Sequence, residues 1–219
     1  MPEIRRDTLP DLTDEQIINE VKSGNNEYFS EIVRRFNQRL YRIAISYGIY
    51  DDDCEEVIQR AYIAAYEKLQ QFRGEAKFST WLIRILINEC LMLKRTKKRK
   101  SELFESDDVT ISCGNHLNPE SEYMDEERKN ILETAVKQLP DKYRTVFILK
   151  EIEGMSIEEA SGILAISKVN VKVRLHRAKS MLKNILEGIT DVSTLFTFGN
   201  ERCDRINESV MNYIRNKNK

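Results

Sequence analysis

Residues Met155–Leu182 read MSIEEASGILAISKVNVKVRLHRAKSML, and this stretch decides the fold. Ser156 is placed to cap a short helix over Ile157–Leu164. Ala165, Ile166 and Ser167 then supply a tight turn. Ser167 is placed to cap a second helix, from Lys168 to about Leu186. Along that helix Val171, Leu175, Ala178 and Leu182 recur at steps of three and four, forming one inward stripe. Asn170, Lys172, Val173, His176 and Arg177 are left to face outward, with Arg174 and Lys179 nearer the edges, where phosphate contacts are expected. From Lys168 to Lys183 there is no carboxylate. Two helices, a tight turn and an unopposed basic second helix are the pattern of a helix-turn-helix, whose second helix enters the major groove. Basic side chains there neutralise phosphates and read guanine edges, a bidentate pair discriminating by roughly 1–3 kcal/mol. An ordinary amphipathic surface helix would share the stripe, but not cap, turn and basicity together.

Toward the amino terminus the chain reads as helix throughout. Eight glycines and four prolines in 219 residues favour long helices over many short strands. Thr13 and Gln16 have capping-box spacing, Ile17, Ile18 and Val21 supply a stripe, and Gly24 stops the helix. A longer helix follows from about Glu27, with Phe29, Ile32, Val33, Phe36, Leu40, Ile43 and Ala44 inward. Gly48 breaks it, Asp51 to Asp53 offer N-caps, and the next helix is expected over Cys54–Leu69. After a connector containing Gly74, Ser79 or Thr80 is expected to cap a helix through Trp81, Leu82, Ile85, Leu86 and Leu93.

The predicted class is therefore all-α, with two helical domains joined by a flexible acidic linker. The expected divisions are a tail (1–12), a first helical domain (13–97), the linker (98–119), the helix-turn-helix domain (120–187) and an extension with one short helix (188–219). In the second domain one helix ends at Pro140, and another starts at Asp141 and ends at Gly154.

A formal net charge of −1 argues against a DNA-binding chain until the charge is mapped. Lys94–Lys100 reads KRTKKRK, the stretch Glu102–Glu127 is acidic, and Lys168–Lys183 is basic again. Two basic surfaces joined by an acidic connector give that total. The four cysteines include no CxxC pair, so a reducing compartment is expected rather than a disulfide framework. Cys113 and His116 form a lone C-x-x-H pair, read as an unliganded polar loop because a closed zinc site takes four ligands. No metal and no cofactor is expected. No hydrophobic signal segment opens the chain, and WLIRILINECLML is interrupted by Arg84 and Glu89 and too short to span a bilayer, so the cytoplasm is expected and no membrane association.

The run SIEEASGILAISKVNVKVRLHRAKSML resembles the upstream-element-binding domain of bacterial RNA polymerase sigma factors. DDDCEEVIQRAYIAAYEKL and FRGEAKFSTWLIRILINECL resemble their core-binding and promoter-melting domain. With only these two domains over about residues 13 to 187, the chain is similar to the extracytoplasmic-function (ECF) group of the sigma-70 family. Arg60 stands where the family often has an acidic residue, and Lys168 and Val169 replace more usual small residues.

The resemblance implies a set of sites. The helix from Cys54 to Leu69 would dock on a coiled coil of the largest subunit of core RNA polymerase, through Asp53, Glu55, Glu56, Gln59 and Arg60. Phe72, Arg73, Gly74, Glu75, Ala76, Lys77 and Phe78 match the loop that captures a base flipped from the downstream (−10) element. Such a pocket needs backbone freedom, which Gly74 gives, and aromatic walls, where stacking is worth roughly 1–3 kcal/mol per base. Phe72, Phe78 and Trp81 are candidate walls, although core burial is the expectation for Trp81. Arg84, Asn88, Lys94 and Arg95 would hold the non-template strand, Asn88 as base reader, with the Lys97–Lys100 run adding attraction to phosphates. Ser167, Asn170, Lys172, Val173, Arg174, His176 and Arg177 would read the upstream (−35) duplex. The acidic linker either threads the polymerase channels or is a plain spacer. An anti-sigma partner is expected for the free chain.

The rival reading is a stand-alone helix-turn-helix regulator, against which the FRGEAKFSTWL segment counts. An enzyme is not expected: there are two histidines, no phosphate-cradling glycine loop and no nucleophile beside a base.

Overall fold

A computed structural model describes residues 12–103, 123–186 and 200–217. All regular structure among these residues is helical. The amino-terminal half contains α1 (Asp14–Lys22), α2 (Phe29–Ser46), α3 (Asp51–Glu67) and α4 (Phe78–Leu103). The second half contains α5 (Tyr123–Gln138), α6 (Asp141–Phe147) running on into a π-helical turn (Ile148–Ile152), α7 (Ile157–Leu164) and α8 (Lys168–Ile185). A last helix, α9 (Asn200–Lys217), follows.

Local chemistry explains most of the ends. The Thr13 N–H donates to Gln16 Oε1 (2.8 Å) and the Gln16 N–H to Thr13 Oγ1 (3.3 Å), closing the capping box of α1. At α7 the Ser156 N–H donates to Glu159 Oε2 (2.8 Å) and the Glu159 N–H to Ser156 Oγ (3.0 Å). Ser156→Ala removes one half of that exchange. It should lower the unfolding free energy by about 1 kcal/mol, within the ~0.5–2 range of N-cap losses, as a denaturation midpoint would reveal.

Two expected caps are elsewhere. Asp51, Asp52 and Asp53 lie inside the first turn of α3, where their charge interacts favourably with the helix dipole, and Tyr50 holds the cap position without a side-chain capping bond. α4 begins at Phe78, so Ser79 and Thr80 are helical residues, and the Trp81 N–H reaches back to the Lys77 carbonyl (3.2 Å). α4 also runs on through Lys98 to Leu103, residues the sequence reading placed in the linker.

The main core gathers Ile17, Phe29, Ile32, Leu40, Val57, Tyr62, Leu82 and Leu86 from α1 to α4. A second cluster joins Leu132 and Val136 of α5, and Leu139 just after it, to Phe147, Ile148, Ala178 and Leu182. The two halves are not separate bodies. Leu149, Met155 and Ile163 reach into the first core, and Ile45 of α2 belongs to the second.

Polar pins hold this junction. Arg144, only 4% exposed, donates from Nε to the Ser46 carbonyl (3.1 Å) and from Nη1 to the carbonyls of Lys137 (2.7 Å) and Leu139 (3.1 Å). Its Nη2 pairs with Asp141. Thr145 Oγ1 donates to the same Ser46 carbonyl (3.1 Å). Nearby, Glu153 pairs with Arg39 (2.9 Å) and Arg42 (3.0 Å) of α2. Gly48 turns the chain beside this pin with φ +71, and a Cβ there would stand 3.2 Å from Arg144 Nη2.

α9 lies on α2 and α3, burying Ile206, Val210, Met211 and Ile214 in the first core. Each such side chain contributes roughly 1.5–3 kcal/mol of apolar burial before ordering entropy is subtracted. No helix among the described residues is long and apolar enough to cross a membrane.

Candidate nucleic-acid interface

α7 and α8 meet through a turn in which Ala165 is left-handed (φ 52, ψ 42). Ser161 Oγ donates to the Ile166 carbonyl (2.6 Å) and fixes that turn. The Asn170 N–H donates to Ser167 Oγ (3.2 Å) and starts α8. Val146, Ala160 and Val171 pack where the two helices cross, and Ala178 and Leu182 pack toward α5 and α6. This leaves Lys172, His176 and Arg177 exposed, Val173 43% exposed, and Asn170 and Arg174 half-buried on the outer side of α8. Arg174 Nε donates to Asn170 Oδ1 (3.0 Å), so the amide and guanidinium form one preset polar unit. Arg177 leans toward α6, its Nη1 donating to the Tyr143 hydroxyl at 3.4 Å, and this donor lowers the pKa of that phenol. The flanking Lys168 and Lys179 pair with Glu158 (2.7 Å) and Glu151 (2.9 Å).

One side chain at this surface was not among the expected contacts. Val169 is 70% exposed in the first turn of α8, beside the Ser167 cap. Its place off the inward stripe was the available signal. An exposed branched apolar group there suits contact with a thymine methyl.

The second surface lies at the start of α4. Arg73, Gly74, Glu75, Ala76 and Lys77 are exposed, and Gly74 has φ +77 with open space around it. Phe72, Phe78 and Trp81 form one aromatic cluster, with centroids 5.2–5.6 Å apart, and Phe36 lies 5.7 Å behind Phe78. Their roles divide by depth. Phe78 is 5% exposed under Phe36 and cannot serve as an open stacking wall, so that expectation is corrected: it props the cluster from beneath. Phe72 and Trp81 are half-buried and present the outer part of the cluster. Trp81 was expected in the core, which it touches without being buried. Lys22 secures Phe72 through its carbonyl (2.6 Å) and the ring face (5.6 Å).

Arg84, Asn88, Lys94 and Arg95 are all exposed along α4. Two of these cations are engaged within the chain: Arg84 Nη2 donates to the Gly162 carbonyl (3.3 Å), and Lys94 pairs with Asp141 and donates to the Tyr47 carbonyl (2.8 Å). Lys77 pairs with Glu159 of α7 (2.9 Å). α7 thus lies against the start of α4, and the cleft between them is lined by Lys77, Arg84, Glu158, Glu159 and Gly162. The Ser156 backbone N–H and then Lys77 hold the Glu159 carboxyl down at about 2. A carboxylate with a depressed pKa contributes fully above its ordinary value and is lost only as pH falls through the lowered one. Acidification to about pH 4 should therefore leave this contact closed.

On α3, Glu55, Glu56, Gln59 and Arg60 follow one another around the side away from the core. Glu56 and Arg60 pair with each other in the open, Asp53 is held by Lys97 of α4, and Glu55 by Arg205 of α9. Among the described residues no group of three or more His, Cys, Asp and Glu side chains is placed to hold a metal ion. Cys113, His116 and most of the acidic linker lie outside the described residues.

Comparison with known proteins places these surfaces in context. A family model described as Sigma-70 region 2 matches residues 32–100, and one described as Sigma-70, region 4 matches residues 129–182. The ECF RNA polymerase sigma factor SigW of Bacillus subtilis is 32% identical over 181 residues, covering 78% of this chain and 96% of the relative. The ECF RNA polymerase sigma-E factor of Haemophilus influenzae is 28% identical over 183 residues, covering 80% and 96%. The structure of CnrH in complex with the cytosolic domain of CnrY is similar with a TM-score of 0.55 at 26% identity, over 78% of this chain and 96% of that one. The sigma factor RpoE of Bartonella quintana, solved with the anti-sigma factor NepR, shares the fold with a TM-score of 0.55 at 21% identity, over 76% and 96%.

Proposed function

The chain belongs to the extracytoplasmic-function RNA polymerase sigma factors of the sigma-70 family, and from that premise we propose how its residues divide the work of promoter recognition. A sigma factor directs core RNA polymerase to promoters and performs no covalent chemistry of its own. In this chain α8 reads the upstream element as duplex, through Ser167, Asn170, Lys172, Val173, Arg174, His176 and Arg177, joined by Val169. Phe72 and Trp81 stack a base flipped from the downstream element, while Arg73 to Lys77 line its path. Arg84, Asn88, Lys94 and Arg95 track the displaced strand. Glu56, Gln59 and Arg60, with Asp53 and Glu55, dock on the coiled coil of the largest polymerase subunit. The observation that carries the reading is the pairing of a carboxylate-free α8 with an exposed glycine-hinged loop beside a half-open aromatic cluster.

The packed arrangement is the resting one in this proposal. Lys77 and Arg84 cannot hold a DNA strand while Glu159 and the Gly162 carbonyl occupy them, so α7 must leave α4 when promoter engages. An anti-sigma protein holds the free chain inactive, a reading supported by the similar proteins solved with CnrY and with NepR. The site of action is the cytoplasm, where core polymerase is.

Adding the purified chain to core polymerase and a promoter library tests this. Specific transcripts are expected. Operator-like binding without polymerase, and no transcripts with it, would indicate the stand-alone regulator instead. Lys172→Ala should weaken upstream-duplex binding and relax sequence preference, read from affinities for single-base variants of the element. Arg174→Ala, which also breaks the Asn170 unit, should relax it as well and reduce the salt slope by about 1.

A further inference from the structure

We infer that α9 is a built-in competitor for core polymerase, seated across α2 and α3 and holding Glu55, one of the residues through which the chain docks. The inference rests on the proposed role of Asp53 to Arg60 and names the device that regulates that site.

α9 lies outside both matched family spans, 32–100 and 129–182, so the shared domains are complete without it. Its seat is nevertheless made with care. Ile206, Val210, Met211 and Ile214 follow a helical spacing and are at most 4% exposed against the first core. The buried amide of Asn37 in α2 donates to the Cys203 carbonyl at 3.2 Å. Around that stripe three cations meet three carboxylates of the docking half. Arg205 pairs with Glu55, Arg215 with Glu27 (2.9 Å), and Lys217 with Glu67 (2.7 Å), to which the Tyr213 hydroxyl also donates. These donors hold the Glu67 carboxyl below its ordinary value.

Two consequences follow. α9 displays the chemistry this face accepts: a helix with an apolar stripe flanked by basic side chains. A polymerase helix that docks here must offer the same, and the two cannot occupy Glu55 together. Coverage is also partial, since Glu56 and Arg60 pair with each other in the open, away from α9. A partner can therefore land on the free edge of α3 and displace α9 by spreading toward Glu55. Because α9 is tethered, it competes at high effective concentration, and apparent polymerase affinity falls by the fraction of chains in which it is seated.

Hydrogen exchange on the full-length chain, with and without purified core polymerase, tests this directly. Amides of residues 203–217 should be protected in the free chain and exchange at least about tenfold faster in the complex. Protection that stays or rises would overturn the inference. The triple variant Arg205→Ala, Arg215→Ala, Lys217→Ala removes only exposed partners and keeps the apolar seat. It should bind core polymerase roughly 3- to 30-fold more tightly at unchanged helix content. Unchanged or weaker binding would also overturn it. If the wild-type chain binds no polymerase at all, the functional reading fails first and this inference with it. If the wild type binds and initiates while α9 stays protected, only the competitor fails.

Discussion

Arg144→Ala should cost roughly 2–4 kcal/mol of unfolding free energy, a large effect for one side chain. The guanidinium is 4% exposed and fans across three carbonyls, of Ser46, Lys137 and Leu139, besides the Asp141 carboxylate. Alanine leaves the Lys137 and Leu139 carbonyls without this donor, while the Ser46 carbonyl keeps Thr145. Asp141 keeps Lys94, so the acidic partner is not left unpaired and the estimate stays below the largest buried-charge losses. Arg144→Lys should recover only part, because a single ammonium cannot reproduce the planar fork. Chemical denaturation of the three proteins measures the difference. A loss below about 0.5 kcal/mol for Arg144→Ala would mean the junction between the halves is not held this way.

The second large effect is on promoter opening. Phe72→Ala removes the half-exposed ring that lies 5.2 Å from Trp81. If that ring stacks the flipped base, open-complex formation should fall by roughly 5- to 150-fold, the equivalent of about 1–3 kcal/mol. Upstream duplex binding by α8 should be unchanged, which separates a stacking loss from misfolding. Phe78→Ala should instead act through the core, lowering stability along with opening, because its ring is buried against Phe36. A Phe72→Ala chain that opens promoters at the normal rate would remove Phe72 from the pocket.

What the sequence disclosed, and what it hid, divides by range. The capping box at Thr13, the cap at Ser156 and the turn before Ser167 depend on residues three or four apart. They were readable because hydrogen bonds over that distance restrict which side chains serve. The inward stripe of α8 was readable for the same reason, through Val171, Ala178 and Leu182. The triple aspartate before α3 misled, because Asp serves equally as a cap and as a first-turn residue, and the structure uses the latter. Depth was hidden as well. Phe72, Phe78 and Trp81 look alike as candidate walls, and only the packing of Phe36 decides that Phe78 goes under.

Long-range pairing left no periodic trace. Nothing near Arg144 announces that its acceptor is the Ser46 carbonyl, nor does Glu153 declare Arg39 and Arg42. The same holds for the clasp of Lys77 by Glu159, which ties the start of α4 to α7. α9 was foreseen as a short amphipathic helix, but its seat depends on Glu27, Glu55 and Glu67, three acidic residues that read as ordinary solvated surface.

The central claim is that one chain, acting with core polymerase, reads a duplex element with α8 and captures melted DNA with the Phe72–Phe78 loop. Permanganate reactivity of promoter thymines, measured with core polymerase plus this chain, tests it most directly. The account predicts reactive thymines confined to the downstream element of specific promoters. Phe72→Ala should lower that reactivity by roughly 5- to 150-fold while the upstream element stays protected, and Lys172→Ala should weaken both. Upstream protection that needs no polymerase, with no reactive thymines under any condition, would contradict it.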